Sequence, residues 1–424
     1  MLVASHELLL DGRLALTVSS AKAGDPVTVR ARMVTPSGNI WRSEAVYRAG
    51  DDGTVDLASA EPLAGSYLGV DPNGLLWSMA PDDLASAQVQ DLADGVNPLR
   101  VELAATSGGQ DLGEAESTIR LLPAGVTRVP VREGGLYGEL FVPPGEGPFR
   151  PVLVFGGSDG GLSPRSLRSA AFCAGHGYLT FSLAYFAAPG LPEELVDIEL
   201  EYFARALEFL SARPEASGPP AVIGTSRGGE LSLLLGLYLG VETVIANVPS
   251  PIVHAGITRA PDGWLSNIPA WRFEGRPIPY LSHTDGKLYM VDGAIACTPT
   301  YLDCLDDWDR VSAAMMHLED SPSTVLLLSG ARDPMWPSAL YSELAMTRLR
   351  RRPGGRQRHV TYPGAGHTLV PPVLPATITV VRHEQGGELV HLGGVPAANS
   401  AAGRGMYAEI LSALAGELVE EAWT

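Results

Sequence analysis

From Val27 to Met33 the apolar side chains Val27, Val29, Ala31 and Met33 alternate with Thr28, Arg30 and Arg32. A period of two puts one set on a buried face and the other in water, the pattern of a half-buried β-strand. Leu14, Leu16 and Val18 repeat it, as do Leu99, Val101 and Leu103. Turn-forming runs separate these stretches: Pro36-Ser37-Gly38, Gly50-Asp51-Asp52-Gly53, Asp71-Pro72-Asn73-Gly74 and Ser107-Gly108-Gly109. Short strands at this spacing predict an antiparallel sandwich of immunoglobulin-like size over residues 1–125. No catalytic cluster occurs there, and Trp41, Tyr47 and Trp77 read as core aromatics.

Near residue 125 the pattern changes. Val126–Val131 and Leu136–Val142 read as two strands, followed by the turn Pro143–Pro148. Pro151-Val152-Leu153-Val154-Phe155 is apolar throughout, as expected of a strand covered on both faces. A helix is expected over Ser169–Gly177 and a strand over Tyr178–Leu183. Leu195, Ile198, Tyr202, Phe203, Ala206, Leu207 and Leu210 then recur at helical spacing, with acidic and basic residues between them. Val222-Ile223, Val241–Val248, Thr324–Gly330 and His359–Tyr362 read as further strands, and an amphipathic helix is expected near Met406 to Trp423. Strands alternating with helices predict a mostly parallel sheet flanked by helices over residues 126–424. Residues 251–320 break the rhythm. They are rich in Pro, Gly and Trp, and are expected to form an irregular lid or pocket wall.

Composition narrows the classes of partner. The formal net charge is −18, so a nucleic acid is not expected, because phosphate binding needs a basic footprint. Arg348, Arg350, Arg351, Arg352, Arg356 and Arg358 do cluster. A solvated helix end is the expectation for them and a phosphate patch the alternative. No apolar run is long enough to span a bilayer, and the first residues lack the basic and apolar regions of a signal peptide. The three cysteines, Cys173, Cys297 and Cys304, have neither metal-ligand spacing nor the number of a disulfide framework. A cytoplasmic, reduced location is therefore expected, with no metal and no cofactor.

The chemistry centres on Gly224-Thr225-Ser226-Arg227-Gly228-Gly229-Glu230. This is G-x-S-x-G between an apolar strand and an apolar helix. A sharp strand-to-helix turn would hold Ser226 in a strained conformation, with its hydroxyl exposed and the Arg227 N–H aimed at a nascent oxyanion. Gly156-Gly157-Ser158-Asp159-Gly160-Gly161 follows the apolar strand at Pro151–Phe155. It lacks the spacing of a nucleotide loop, and in an elbow-type hydrolase it would supply the second oxyanion N–H from the Gly157–Ser158 turn. Asp333 and His367 each stand just after a predicted strand. The order Ser226, Asp333, His367 and these placements are those of a hydrolase triad, with His367 as base and Asp333 orienting it. Glu230 and Asp159 are the substitutes should Asp333 not serve. The cysteines are expected to be buried rather than nucleophilic.

These residues resemble a family, the acyl-CoA thioesterases related to bile acid-CoA:amino acid N-acyltransferase. The resemblance spans nearly the whole chain. Gly65–Asp71 followed by Gly74–Met79 is similar to the N-terminal signature, with Asn73 replacing the usual Met. Phe155–Leu162 resembles the glycine loop in the form seen in bacterial members. Ala184-Tyr185-Phe186, Leu191-Pro192 and Glu199–Phe203 match the next segment. The elbow matches with Arg227 where Lys is usual. Asp333 with Trp336, Gly366-His367 with Pro371-Pro372, and Leu392-Gly393-Gly394 complete the match. The resemblance implies an Ig-like β-sandwich joined to an α/β-hydrolase domain, acting on acyl thioesters of coenzyme A or of a carrier-protein pantetheine. It implies the same roles for Ser226, Asp333 and His367. A serine nucleophile leans towards hydrolysis. Transfer of the acyl group to an amine or alcohol, esterase or lactonase activity, and a non-catalytic binding module are the alternatives. Acyl chain length and oligomeric state are not legible.

Overall fold

The computed structural model describes residues 1–87, 95–259, 264–383 and 387–418. It divides into two compact units. One is Met1–Leu122 with Leu369–Val381 and Val395–Tyr407; the other is Pro123–Thr368 with Arg382–Gly394 and the chain from Ala408. Two short segments late in the chain thus belong to the first unit, whereas the sequence pattern alone draws a single boundary near residue 125.

In the first unit, alternation dictates the architecture. Pro26–Val34 pairs antiparallel with Ile40–Arg48 on one side and Leu99–Ser107 on the other, and Gln110–Ile119 extends the sheet. Val27, Val29, Ala31, Met33, Leu99, Val101 and Leu103 are all buried. A three-stranded sheet of Leu2–Ala4, Leu16–Val18 and Val55–Asp56 completes the sandwich. Trp41, Tyr47 and Trp77 are buried core residues. Asn73 is fully buried and satisfied: its side-chain oxygen accepts the Leu14 N–H at 2.8 Å, and its amide donates to the Gly12 carbonyl at 2.9 Å.

The second unit is built on eight strands: β1 (Thr127–Val131), β2 (Tyr137–Val142), β3 (Pro151–Phe155), β4 (Leu179–Ala184), β5 (Ala221–Thr225), β6 (Thr243–Asn247), β7 (Thr324–Gly330) and β8 (Gln357–Tyr362). Their spatial order is β1-β2-β4-β3-β5-β6-β7-β8. Only β2 runs against the rest. Every residue of β3, β4 and β6 is buried; β3 accordingly reads as a continuous apolar run, whereas β4 buries Thr180 and Ser182 with their hydroxyls bonded to the Ala170 carbonyl at 2.8 Å and the Ser166 hydroxyl at 3.1 Å. This strand order, with crossover helices between the parallel strands, is the α/β-hydrolase fold.

Helix α1 (Pro164–Gly175) begins five residues before its expected start. Ser163 caps it by accepting the Ser166 N–H, and Pro164 enters at the first turn, where no N–H is needed. Helix α2 (Glu201–Ser211) is shorter than the apolar spacing suggests. Asp197 has φ 51°, and Ile198 pairs in parallel with Trp271, so Leu195 and Ile198 are buried outside the helix. Helix α3 (Arg227–Tyr238) follows β5 directly, and α4 (Ser338–Leu349) lies between β7 and β8. Helix α5 spans Pro396–Leu414, beginning ten residues before its expected start, and the expected helical residues beyond 418 lie outside those described. Residues 251–320 contain only short elements, among them Trp271–Phe273, the hairpin Tyr289–Val291 with Ala294–Ala296, and helices Thr298–Asp303 and Trp308–Ala314. Among the described residues, no helix is long and apolar enough to cross a membrane.

Candidate active site

Strand β5 ends at Thr225 and α3 starts at Arg227, so Ser226 alone makes the turn. Its backbone sits at φ 61°, ψ −121°, a conformation that side-chain-bearing residues rarely adopt. Two hydrogen bonds fix it: the Ser226 N–H donates to the Asn247 carbonyl at 2.9 Å, and its own carbonyl accepts the Glu230 N–H at 3.0 Å. The flanking glycines permit the approach. A Cβ on Gly224 would lie 2.0 Å from the Gly228 oxygen, and one on Gly228 would lie 2.2 Å from the Gly156 oxygen. The glycine loop after β3 is thereby seated on the elbow. A Cβ on Gly157 would lie 3.0 Å from the Ser226 Cβ and 3.6 Å from the Arg227 nitrogen. Among the described residues, no acceptor takes the N–H of Gly157, Ser158 or Arg227.

Asp333 and His367 meet beyond the ends of β7 and β8. His367 Nδ1 and Asp333 Oδ2 are 2.8 Å apart, and both residues are buried. Asp333 is itself fully engaged. Oδ2 also accepts the Ser338 hydroxyl at 2.6 Å, and Oδ1 accepts the N–H of Met335 at 2.9 Å and of Trp336 at 3.4 Å. The His367 N–H donates to the Leu392 carbonyl at 2.6 Å, which fixes the base of the imidazole. The arrangement can hold one imidazole tautomer, with Nδ1 protonated towards the carboxylate and Nε2 free to accept a proton.

Neither proposed substitute acid has this setting. Glu230 is fully buried and turned the other way: Oε1 accepts the Trp271 indole N–H at 2.6 Å and lies 3.2 Å from Arg227 Nη2, while Oε2 accepts the His254 N–H at 3.3 Å. Arg227 Nη2 donates to the His254 carbonyl at 2.9 Å. The side chains that follow Ser226 therefore clasp the 251–320 segment. Asp159 makes no contact with His367 among those described, and its carboxylate acts on His383.

Burial pushes the Glu230 carboxyl up to about 7, against the opposing pull of Arg227 and two N–H donors. Between its ordinary value of 4.5 and 7 the folded protein therefore holds more protons than the unfolded chain. Stability from this group is present below 4.5 and lost as pH rises through 7, a difference of about 3 kcal/mol. Burial acts with opposite sign on two histidines. His254 is held well below 6.5 and His283 falls to about 3, so their contribution grows as pH rises towards 6.5. Glu230→Gln removes the first effect and leaves the second. The unfolding free energy of wild type relative to Glu230→Gln is expected to fall by about 3 kcal/mol between about pH 4 and pH 8. Parallel urea-denaturation profiles over that range would refute it.

Burial pushes the thiols of Cys173 and Cys297 up to about 12 and raises that of the half-buried Cys304, so none is poised as a nucleophile. Half of the arginine cluster is structural, while Arg350, Arg351 and Arg356 are exposed. Arg348 pairs with Glu319 at 2.6 Å, Arg352 is buried and donates to the Ser321 and Ser323 carbonyls, and Arg358 forms a two-point pair with Glu409. Two groups near the site have no role that the sequence assigns, although Tyr185 lies in the Ala184-Tyr185-Phe186 segment that resembles the family. His383 Nε2 lies 3.1 Å from the Ser158 hydroxyl, and the Tyr185 hydroxyl reaches the Gly156 and Gly157 carbonyls.

Residues 11–133 match the family model described as the acyl-CoA thioester hydrolase/BAAT N-terminal region, and residues 198–419 match that of the BAAT / acyl-CoA thioester hydrolase C terminal. Acyl-coenzyme A thioesterase 6 of Mus musculus is 33% identical over 404 residues, covering 92% of this chain and 90% of that protein. The peroxisomal succinyl-coenzyme A thioesterase of Mus musculus is 30% identical over 408 residues, covering 95% and 92%. Among solved structures, an esterase from Pyrobaculum calidifontis is 15% identical, with a TM-score of 0.41, over 70% of this chain and 87% of that one. The two family models and the relatives that match along nine-tenths of its length agree: this chain belongs to the acyl-CoA thioester hydrolase/BAAT family.

Proposed function

We propose that the protein hydrolyses acyl-CoA thioesters through an acyl-enzyme on Ser226. The observation that carries this reading is the strained elbow at Ser226, with the unengaged N–H groups of Arg227 and the glycine loop beside it. Ser226 Oγ attacks the thioester carbonyl carbon while His367 Nε2 takes the hydroxyl proton. Asp333 holds the imidazole in the required tautomer and stabilises its cation. The Arg227 N–H and one from the Gly157–Ser158 turn stabilise the tetrahedral oxyanion, each worth roughly 3–4 kcal/mol. The C–S bond breaks, and His367 returns its proton to the departing thiolate. Water then gives a proton to His367 and adds to the acyl carbon, Ser226 leaves with that proton, and the carboxylic acid departs. No cofactor enters these steps.

Coenzyme A is the proposed thiol because the matching relatives are named for it. A net charge of −18 works against docking of an acidic carrier protein. The cytoplasm is the proposed compartment, in keeping with three cysteines that form no disulfide.

The test is a panel of acyl-CoAs of graded chain length, with thiol release and acyl products followed together, in the presence and absence of amines and alcohols. Free acid as the main product supports the reading. A conjugate that outcompetes free acid would make the protein an acyltransferase, and turnover of oxygen esters with none of acyl-CoA would make it an esterase.

A further inference from the structure

Tyr185 is the first residue after β4, and its side chain is buried in an aromatic cage. The ring centroids of Phe203, Trp271 and Phe155 lie 5.5, 5.8 and 6.3 Å from its own. The cage delivers the phenol to a defined place. Its hydroxyl lies 3.0 Å from the Gly156 carbonyl oxygen and 2.9 Å from that of Gly157, so one proton is shared between two consecutive carbonyls. Burial raises the phenol far above the working pH range, and the hydroxyl remains a donor throughout.

Those carbonyls belong to the peptide units that carry the N–H groups of Gly157 and Ser158. In a trans peptide the N–H points opposite to its own C=O. With both carbonyls turned to Tyr185, both N–H groups face away from it, and neither has an acceptor among the described residues. This same loop lies against Ser226 and the Arg227 nitrogen. The contact between the Ser158 hydroxyl and His383 holds the far end of the turn.

We propose that Tyr185 is a positioning residue of the oxyanion site: its hydroxyl keeps the Gly156 and Gly157 carbonyls turned away, so that the loop presents N–H groups to the oxyanion. This rests on the thioesterase reading above. Without the hydroxyl either peptide can rotate, and a carbonyl oxygen would then face the developing negative charge.

The experiment compares three proteins with the full-length wild type. Tyr185→Phe removes the hydroxyl and keeps the ring. Tyr202→Phe is the control: its buried hydroxyl donates to one backbone carbonyl, that of Ala184 at 2.7 Å, and accepts the Tyr137 N–H at 3.4 Å, with no bond to the glycine loop among the described residues. The third carries 4-aminophenylalanine in place of Tyr185, which retains a donor at the same point. For Tyr185→Phe, kcat on acyl-CoA is expected to fall by about 30-fold or more, with KM within about threefold, since loss of an oxyanion donor costs about 100- to 1000-fold. Affinity for an acyl trifluoromethyl ketone analogue, whose tetrahedral adduct bears the oxyanion, should fall by the same factor, while affinity for coenzyme A is unchanged. Tyr202→Phe should stay within about twofold of wild type, and the 4-aminophenylalanine protein within about fivefold.

A wild-type kcat in Tyr185→Phe would overturn the proposal, as would an equal loss in Tyr202→Phe. Should Tyr185→Phe not fold, the 4-aminophenylalanine protein decides: analogue affinity near wild type supports the proposal, and loss of that affinity in a folded protein overturns it. Failure of a fluorophosphonate probe to label Ser226 in the wild type would instead sink the underlying serine mechanism.

Discussion

On the proposed mechanism, Ser226→Ala is expected to lower acyl-CoA turnover by about a million-fold, the scale seen when a triad serine is removed from a serine hydrolase. The residual rate would come from binding and the oxyanion donors alone. The fold should not notice the change. Alanine keeps the Cβ and meets the same backbone cost at φ 61° that serine meets. Both hydrogen bonds that fix the turn, to the Asn247 carbonyl and from the Glu230 N–H, are made by the backbone. The serine side chain makes no capping bond to α3, so its loss orphans no helix donor. Stability should therefore stay within about 0.5 kcal/mol of wild type. Thiol release measured beside a denaturation curve separates the two effects. Turnover within tenfold of wild type would remove Ser226 from the mechanism, and a large loss of stability would mean that the rate reports unfolding.

The parts of this fold that can be read from sequence are those where burial acts on one strand at a time. Val27 to Met33 alternate because only one face of their sheet is buried, and Pro151–Phe155 do not alternate because both faces are. Ser226, Asp333 and His367 can be singled out from sequence because each follows a strand, and strand ends can be found from apolar runs. Helix limits are less legible. Leu195 and Ile198 share the helical spacing of α2, yet a single backbone reversal at Asp197 hands Ile198 to Trp271. Gly403 and Gly405 interrupt the apolar period of α5 and hide its first ten residues, although the helix runs through them. The surroundings of the site are hardest to read, because they are made by contacts across long separations. The Arg227–Glu230–Trp271–His254 cluster joins the elbow to a segment without periodicity. Apart from the family resemblance of Ala184-Tyr185-Phe186, Tyr185 looks like any aromatic residue after a strand, and His383 like any loop histidine. Nothing local distinguishes a tyrosine that fills a core from one whose hydroxyl turns two peptides.

Asp333→Asn should cost about 10,000-fold in kcat while leaving the fold intact, the scale of loss when a triad aspartate becomes an amide. Here the surroundings dictate which way the new amide sits. Oδ1 accepts two backbone N–H groups, from Met335 and Trp336. An amide nitrogen in that place would set donor against donor twice, so the asparagine oxygen must take it. The NH2 group is then driven to the Oδ2 position, facing His367 Nδ1 and the Ser338 hydroxyl. The hydroxyl can rotate and accept instead of donating. His367 has one way to pair with the NH2: it must present a bare Nδ1 and carry its proton on Nε2. In the proposed mechanism that nitrogen receives the Ser226 proton, so the base is blocked without any atom having moved. The loss should therefore appear in kcat, with KM and coenzyme A affinity near wild type, and it should shrink as alkaline pH supplies hydroxide in place of the blocked base. A variant that kept more than about a tenth of wild-type turnover would show that Asp333 does not set the tautomer of His367, and the triad assignment would fall with it.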